Sequence, residues 1–263
     1  MQTKLKVKNA PIVLFIGGHD PSGGAGIQAD IETANLFNCR SISLITCLTA
    51  QDSSDVELIL PQKSNLFSHQ ANLLLSDIKP NIIKIGLLGN LSIAKVVYAI
   101  VNKLNVPVIL DPIISAGGGR LLSDESLVKY IREFFLPITN LITPNKSEAL
   151  LLAKTREISE AMKFFIKSGC SAGLITGADQ SESNMMINHF FTQELNHEYE
   201  WPLLPKVYHG SGCTLSSACA CELASGKPLR EAVENAQKFT WEVLQKAENV
   251  GSSQWFPNRR CKN

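Results

Sequence analysis

The chain has 263 residues, of which 44% are hydrophobic and 19% are charged, and its 25 basic and 24 acidic residues give a formal net charge of +1. This length and balance predict a globular protein with one large core, which we expect to form a single domain over residues 1–263. The near-neutral charge, with no run of five like charges, argues against a nucleic-acid or membrane surface. The expected partner is therefore a small molecule or a second copy of the chain.

The N-terminal segment is basic and then apolar, which is similar to a secretion signal only superficially. Its apolar run, residues 12–16, is too short for the apolar region of a signal peptide and leads into Gly-Gly-His-Asp at 17–20. The seven cysteines are odd in number and include no Cys-x-x-Cys pair, which argues against a disulfide framework or a zinc site. We therefore expect a cytoplasmic protein with reduced cysteines.

Short β-branched runs alternate with amphipathic segments along the chain. The predicted strands are residues 12–16, 41–47, 56–60, 82–85, 106–110, 141–143 and 173–176. The predicted helices are residues 26–37, 62–75, 91–104, 124–135, 146–153, 158–168, 212–224 and 229–246. Because the apolar runs of the strands are continuous, we expect a mostly parallel sheet covered by helices on both faces. The polar segments 186–192 and 198–201, around a loop at 193–197, predict an antiparallel hairpin at one edge.

A glycine-rich segment follows the first predicted strand. Residues 17–26 include five glycines, which let the backbone turn sharply and approach a ligand closely. The segment matches neither a Walker A loop nor the G-x-G-x-x-G pattern. By itself it is equally compatible with a ligand-binding loop and with a tight connection between strand and helix. Its position favours a ligand, since ligands of such sheets bind beyond the carboxyl ends of the strands.

A second glycine-containing segment, Gly210-Ser211-Gly212-Cys213-Thr214, precedes an apolar helix. The unpaired N–H groups and the dipole at a helix N-terminus favour a bound anion such as phosphate. In this position we expect the pKa of the Cys213 thiol to be lowered. The alternative, which the spacing alone modestly favours, is a capping turn in which Ser211 or Thr214 caps the helix.

Several polar residues after other strands allow two interpretations each. Asn145 and Glu148 have the spacing of a capping box, yet both could also reach a magnesium ion or its waters. Asp111, before a proline, is either a turn former or a magnesium-side carboxylate. Gln51 is either an exposed loop amide or a group that hydrogen-bonds the edge of a heterocycle, because an amide can both donate and accept hydrogen bonds. Of the scattered histidines, only His209 stands out, since it precedes the glycine-containing segment.

In this order, the segments resemble the hydroxymethylpyrimidine/phosphomethylpyrimidine kinases of thiamine biosynthesis, within the ribokinase superfamily. The matching strings are DPSGGAGIQAD at 20–30, LTAQ at 48–51, IGLLG at 85–89, LDP at 110–112, LITPN at 141–145 and HGSGCTLSSA at 209–218. The resemblance extends over residues 11–246 and implies one ribokinase-like α/β/α sandwich, usually dimeric. It implies ATP and Mg²⁺ as cofactors and phosphorylation of 4-amino-5-hydroxymethyl-2-methylpyrimidine and then of its monophosphate.

The resemblance also implies a role for each matching residue. Around the pyrimidine it places Ala25, Asp30, Thr49, Gln51, Leu87 and Ile113, with Cys213 beside them. On the nucleotide and phosphate side it places Asp111, Asn145, Thr176 and Gly177, and at the metal Asp111 and Glu148. Gly210, Ser211 and Gly212 would form the anion hole for the transferring phosphoryl group. Cys213 stands where sugar-kinase relatives have an aspartate base, so it is the expected base.

The chain departs from the family pattern at a few positions. Thr176 stands where the family usually has a lysine that is expected to contact phosphate, and we expect the second phosphorylation to suffer most. His19, Val207-Tyr208 and the segment 255–260 also differ from the usual residues, which bears on substrate choice. Two alternatives therefore remain: a pyridoxine/pyridoxal kinase, and a catalytically weak paralogue that binds pyrimidine. The glycines at 117–119 would permit a mobile lid over the site.

Overall fold

The computed structural model describes residues 9–115, 121–180 and 184–260. The expected lid glycines at 117–119 and the first eight residues of the predicted domain lie outside these ranges. The strands are β1 (Ile12–His19), β2 (Arg40–Gln51), β3 (Val56–Pro61), β4 (Ile82–Ile85), β5 (Val108–Leu110), β6 (Leu141–Ile142), β7 (Ala172–Gln180), β8 (Met185–Thr192) and β9 (Asn196–Pro202). The helices are α1 (Gly26–Leu36), α2 (Ser64–Asp77), α3 (Leu91–Leu104), α4 (Glu125–Tyr130), α5 (Lys146–Ala153), α6 (Ile158–Lys167), α7 (Ser211–Ala224) and α8 (Leu229–Gln245).

The strands form one sheet in the order β3-β2-β1-β4-β5-β6-β7-β8-β9. The pairs from β2 to β7 are parallel, whereas β3 at one edge and the β8–β9 hairpin at the other are antiparallel. This topology confirms the predicted mostly parallel sheet and its edge hairpin. The order reverses at β1, because β2 lies on one side of it and β4 on the other. At such a reversal the loops after the strands diverge and leave a crevice at the carboxyl end.

Helices cover both faces of the sheet, as the continuous apolar runs predict. In β1, Leu14 and Ile16 pack into a core with α2 to α6, while Val13 and Phe15 pack into a second core with α1, α7 and α8. All four side chains are fully buried. Since successive side chains of a strand point to opposite faces, burial on both faces requires an uninterrupted apolar run.

Most predicted boundaries agree with the structure within a few residues, and the largest differences lie where the site forms. β1 continues through its glycines to His19, because Gly17 and His19 keep pairing with β2. β2 likewise runs on to Gln51, where it pairs with β3. The predicted helix 124–135 is α4 followed by a π turn over Ile131–Phe135. Among the described residues, no helix has both the length and the apolar character needed to cross a bilayer.

Candidate active site

A cavity of about 230 Å³ lies at the carboxyl ends of β1, β4 and β5. It brings together residues that are distant in the sequence but were predicted to share a site. Fourteen of the predicted residues line it: Ala25, Asp30, Thr49, Gln51, Leu87, Asp111, Ile113, Asn145, Glu148, Thr176, Gly210, Ser211, Gly212 and Cys213. The remaining predicted residue, Gly177, lines a neighbouring cavity of about 740 Å³.

The two cavities adjoin at the N-terminus of α7. Both are lined by Asn145, Thr176, Ser211 and Gly212. The smaller cavity is lined further by the glycine loop, and the larger by α8 and the β8–β9 hairpin. A molecule in one cavity can therefore meet a molecule in the other at the first turn of α7.

The first turn of α7 has no side-chain cap. Gly210 is the N-cap residue, with a φ of 77°, and among the described residues no side-chain cap hydrogen bond is found at this position. Thr214 instead donates its hydroxyl to the Gly210 carbonyl, at 2.8 Å. The alternative interpretation of this segment, a turn capped by Ser211 or Thr214, is therefore wrong. An uncapped N-terminus that opens into a cavity leaves its N–H groups for an anion.

The glycine loop of residues 17–26 is organised by a buried carboxylate. Asp20 accepts hydrogen bonds from the Ser22 N–H at 2.8 Å and from the Ala25 N–H at 2.7 Å, and its Oδ2 lies 2.8 Å from Nε2 of His209. A Cβ on Gly24 would collide with the His209 ring. Glycine at 24 therefore lets the loop close against the segment that starts α7.

A buried charge cluster forms the floor of the smaller cavity. Lys84 places Nζ 2.9 Å from Asp30 Oδ1 and 3.8 Å from Asp111 Oδ2. Ser217 donates its hydroxyl to the same Asp30 oxygen, at 2.6 Å, and Ser216 donates to Asp111 Oδ2, at 3.1 Å. Lys84 and Asp30 are at most 1% exposed. The cluster joins α1, β4, β5 and α7 at one point.

The predicted capping box at the start of α5 is confirmed, and it also lies in the site. The Asn145 side chain accepts from the Glu148 N–H at 2.9 Å, and Glu148 Oε2 accepts from the Asn145 N–H at 3.1 Å. The other oxygen, Glu148 Oε1, accepts from the Ile114 N–H at 3.1 Å. Glu148 thus ties α5 to the segment that follows Asp111.

A polar network supports the larger cavity. Asn188 accepts from the Gly177 N–H at 2.9 Å and donates to Gln237 Oε1 at 2.9 Å. The same Gln237 oxygen accepts from Trp201 Nε1 at 3.2 Å. The network fixes the irregular part of β7, between Ile175 and Asp179, where Gly177 has a φ of 59°, against β8, β9 and α8.

A family model described as phosphomethylpyrimidine kinase matches residues 20–258 of the chain. The match includes the charge cluster, the capping box and the first turn of α7.

The chain belongs to the phosphomethylpyrimidine kinase family. Membership confirms the resemblance carried by the sequence strings, and it makes the protein a kinase.

Relatives with established names cover most of the chain. A hydroxymethylpyrimidine/phosphomethylpyrimidine kinase of Synechococcus elongatus is 30% identical over 250 residues, which are 93% of this chain and 95% of that protein. The kinase of the same name from Bacillus subtilis is 31% identical over 91% of each protein. A chloroplastic thiamine biosynthetic bifunctional enzyme of Arabidopsis thaliana is 31% identical over 95% of this chain, which spans only 49% of that enzyme.

Solved structures confirm the fold. An ADP complex of Bacillus subtilis pyridoxal kinase is 25% identical, with a TM-score of 0.87 over 95% of this chain and 97% of that one. A phosphomethylpyrimidine kinase from Clostridium difficile is also 25% identical, with a TM-score of 0.77 over 89% of this chain and 99% of that one. The predicted ribokinase-like sandwich is therefore confirmed.

The predicted low pKa of Cys213 is wrong. Burial raises the pKa of the Cys213 thiol to about 12, although Lys84 opposes the shift. Asp111 and Asp30 add to it, because a thiolate would stand beside two carboxylates. The helix N-terminus, on which the prediction rested, supplies only partial charges and does not outweigh the loss of solvent.

Burial also raises the pKa values of the two carboxyl groups predicted at the metal. The pKa of Glu148 rises to about 8 because of burial and because of the nearby Asp111 carboxylate. The pKa of Asp111 is raised by burial, against the attraction of Lys84. A positive charge beside these two acids would favour their ionised forms. Among the described residues, no cluster of three or more acidic, His or Cys side chains is arranged to hold a metal alone.

Lys84 is the main residue of the site that the sequence analysis did not single out. Burial alone would lower the pKa of Lys84, but the charges of Asp30, Cys213 and Asp111 raise it above its usual value. Its ammonium group therefore stays charged inside the protein. The available signal was a single lysine in the otherwise apolar strand β4, Ile-Ile-Lys-Ile. A charge in a strand that is buried on both faces requires a partner.

Proposed function

We propose that the protein transfers the γ-phosphoryl group of ATP to the hydroxymethyl group of 4-amino-5-hydroxymethyl-2-methylpyrimidine, and then phosphorylates the monophosphate, in thiamine biosynthesis. The meeting of two cavities at the uncapped first turn of α7 carries this proposal. The smaller cavity suits a single heterocycle and the larger one a nucleotide. The names of the Synechococcus and Bacillus relatives support the choice of substrate.

The smaller cavity has an apolar patch among its polar lining residues. Leu87 and Ile113 line it beside Ala25, and their side chains would pack against the faces and the methyl group of the pyrimidine. Gln51 would hydrogen-bond the edge of the ring. The Thr49 hydroxyl donates to the His19 carbonyl at 2.9 Å, so Thr49 shapes the wall.

The first turn of α7 would hold the phosphoryl group during transfer. The substrate oxygen attacks the γ-phosphorus, the bond to the bridging oxygen of ADP breaks, and charge accumulates on the phosphoryl oxygens. The N–H groups of residues 210–212 would stabilise that charge. The proton of the hydroxymethyl group would pass to the thiolate form of Cys213. Because burial raises the thiol pKa to about 12 even with Lys84 beside it, the thiol would first have to give its own proton to water.

The carboxyl pair would serve the metal. A bound Mg²⁺ would neutralise charge on the ATP phosphates, and it commonly takes one or two carboxylates, the remaining ligands being phosphates and water. Asp111 and Glu148 provide two such carboxylates. Asn145, Thr176 and Gly177 would contact the phosphates from the side of the larger cavity.

The exposed leucines at the β3 edge of the sheet motivate a proposal about the oligomeric state. Leu48, Leu58 and Leu60 are 42–49% exposed on β2 and β3, and we propose that a second copy covers them in a homodimer.

The cysteines bear on the cellular compartment. The six cysteines of the described residues are all free thiols. Free thiols support a reducing compartment such as the cytoplasm.

The likeness to Bacillus subtilis pyridoxal kinase favours a second candidate, a pyridoxal kinase. Both substrates are heteroaromatic rings that carry a hydroxymethyl group. A competition assay with equal concentrations of the two substrates distinguishes them. We expect a higher kcat/KM for the pyrimidine, and a higher value for pyridoxal would reverse the assignment.

The direct test is incubation with Mg·ATP and the hydroxymethylpyrimidine, followed by mass spectrometry of the products. We expect the monophosphate first and the diphosphate more slowly. ATP alone, without pyrimidine, is the control for uncoupled hydrolysis. Absence of product from both the pyrimidine and pyridoxal would contradict the proposal and favour a pyrimidine-binding paralogue without catalysis.

The second phosphorylation is expected to improve when Thr176 is replaced by lysine. Thr176 lines both cavities and donates its N–H to the Pro144 carbonyl at 3.0 Å, so a long side chain there would reach the phosphates. A charged hydrogen bond to phosphate is worth about ten- to a hundredfold in rate. The measurement is the ratio of kcat/KM for the second and first steps. Thr176→Met, which adds length without charge, is the matched control and should not raise the ratio.

A further inference from the structure

Residues 248–260 form a C-terminal strap that closes one side of the smaller cavity. The strap folds on itself through a bridge between Glu248 and Phe256, and Trp255 pairs with Tyr208 just before α7. Within the strap, Gln254 lines the cavity and is 6% exposed. A polar side chain from the end of the chain thus completes the wall that begins at the glycine loop.

The strap is anchored by a buried arginine. Arg259 is 5% exposed, and its guanidinium donates to the carbonyls of Gly23 and Gly24 at 2.9 and 3.1 Å. It also donates to the Thr214 hydroxyl at 3.1 Å and to Glu32 at 2.9 Å. These contacts hold the strap to the glycine loop, to α1 and to the first turn of α7. Gln254 is therefore presented by a fixed element of the site.

The hydrogen bonds of Gln254 determine which way its amide faces. Its backbone N–H donates to the Ser53 carbonyl, and its Nε2 donates to the Ser54 carbonyl, both at 3.1 Å. If the amide were flipped, Oε1 would face the Ser54 carbonyl oxygen and two acceptors would repel each other. Only the orientation with Nε2 toward Ser54 is therefore compatible with this contact. Oε1 has no hydrogen-bond donor among the described residues, and the cavity therefore gains an acceptor. This acceptor lies beside the turn that follows Gln51.

We propose that Gln254 is a specificity-determining residue whose Oε1 accepts a hydrogen bond from the exocyclic amino group of an aminopyrimidine. The inference rests on the proposed function and deepens it. An amino group on the ring is a donor that matches the acceptor. The ring hydroxyl of pyridoxal, once ionised, can only accept hydrogen bonds, so it would be repelled by Oε1, which is also an acceptor. Gln254 thus selects the aminopyrimidine over pyridoxal-type rings.

The test compares two substrates in wild type and in Gln254→Met. The substrates are the 4-amino-5-hydroxymethyl-2-methylpyrimidine and its analogue without the amino group, each at saturating Mg·ATP. Loss of one neutral hydrogen bond lowers kcat/KM by about tenfold. We expect this loss for the amino substrate only, mainly through KM, so that the preference for the amino group falls about tenfold.

Two further variants distinguish a hydrogen bond to the amino group from a purely structural role in the cavity wall. Gln254→Asn keeps the amide but shortens the side chain by one methylene. This variant should also lower the preference for the amino group. Its result decides the test if Gln254→Met does not fold. Arg259→Met loosens the whole strap, so it should lower kcat/KM for both substrates and also reduce the preference for the amino group. An equal loss for both substrates in Gln254→Met would overturn the inference and leave the function standing. A wild-type protein that phosphorylates neither compound would overturn the function itself.

Discussion

Replacement of Lys84 by methionine is expected to lower the free energy of unfolding by about 3–5 kcal/mol, the usual cost of removing one partner of a buried ion pair. The pair with Asp30 is almost completely excluded from solvent, at 1% and 0% side-chain exposure. Without the ammonium group, Asp30 keeps only the Ser217 hydroxyl on one oxygen, and its Oδ2 has no partner already. Urea denaturation followed by circular dichroism measures the change.

The exposed pair between Lys129 and Glu133 provides a matched control. These side chains are 71% and 54% exposed and lie 3.9 Å apart, so Lys129→Met should cost no more than about 0.5 kcal/mol. The double variant Lys84→Met/Asp30→Asn should be more stable than Lys84→Met alone, because it removes the unpaired charge. A loss for Lys84→Met as small as that of Lys129→Met would show that Lys84 is not needed to hold the cluster together.

Replacement of Cys213 by alanine is expected to reduce turnover by about a hundredfold or more, the usual contribution of a positioned proton acceptor. The pyrimidine should still bind with measurable affinity, since the walls of the smaller cavity are formed mainly by other residues. The measurements are kcat from ADP release and Kd for the pyrimidine from calorimetry. The separation of the two quantities is what a role in proton transfer predicts.

Cys219→Ala is the matched control for the loss of a buried thiol. Cys219 lies on the same helix, is fully buried and lines neither cavity. The variant should keep the wild-type kcat at temperatures where it remains folded. Wild-type turnover in Cys213→Ala would exclude Cys213 as the base, and transfer would then rely on positioning and charge stabilisation alone.

The sequence by itself determined the order of the elements and the local turns. Continuous apolar runs such as that of β1 require burial on both faces, and the spacing of Asn145 and Glu148 closes a capping box within one turn of α5. The glycine loop could be located because glycines after a strand mark a close approach. Each of these inferences depends on residues that are near one another in the chain, where steric preference and hydrogen bonding act directly.

Only the tertiary structure decided which distant residues meet and how far they are removed from water. Lys84 pairs with Asp30 across 54 positions, and Arg259 reaches the Gly23 carbonyl across 236. The same packing makes Gln254 part of the cavity wall and reverses the predicted pKa shift of Cys213. Burial is a property of the assembled fold, so the electrostatics of the site follow from desolvation and long-range contacts that no local pattern contains.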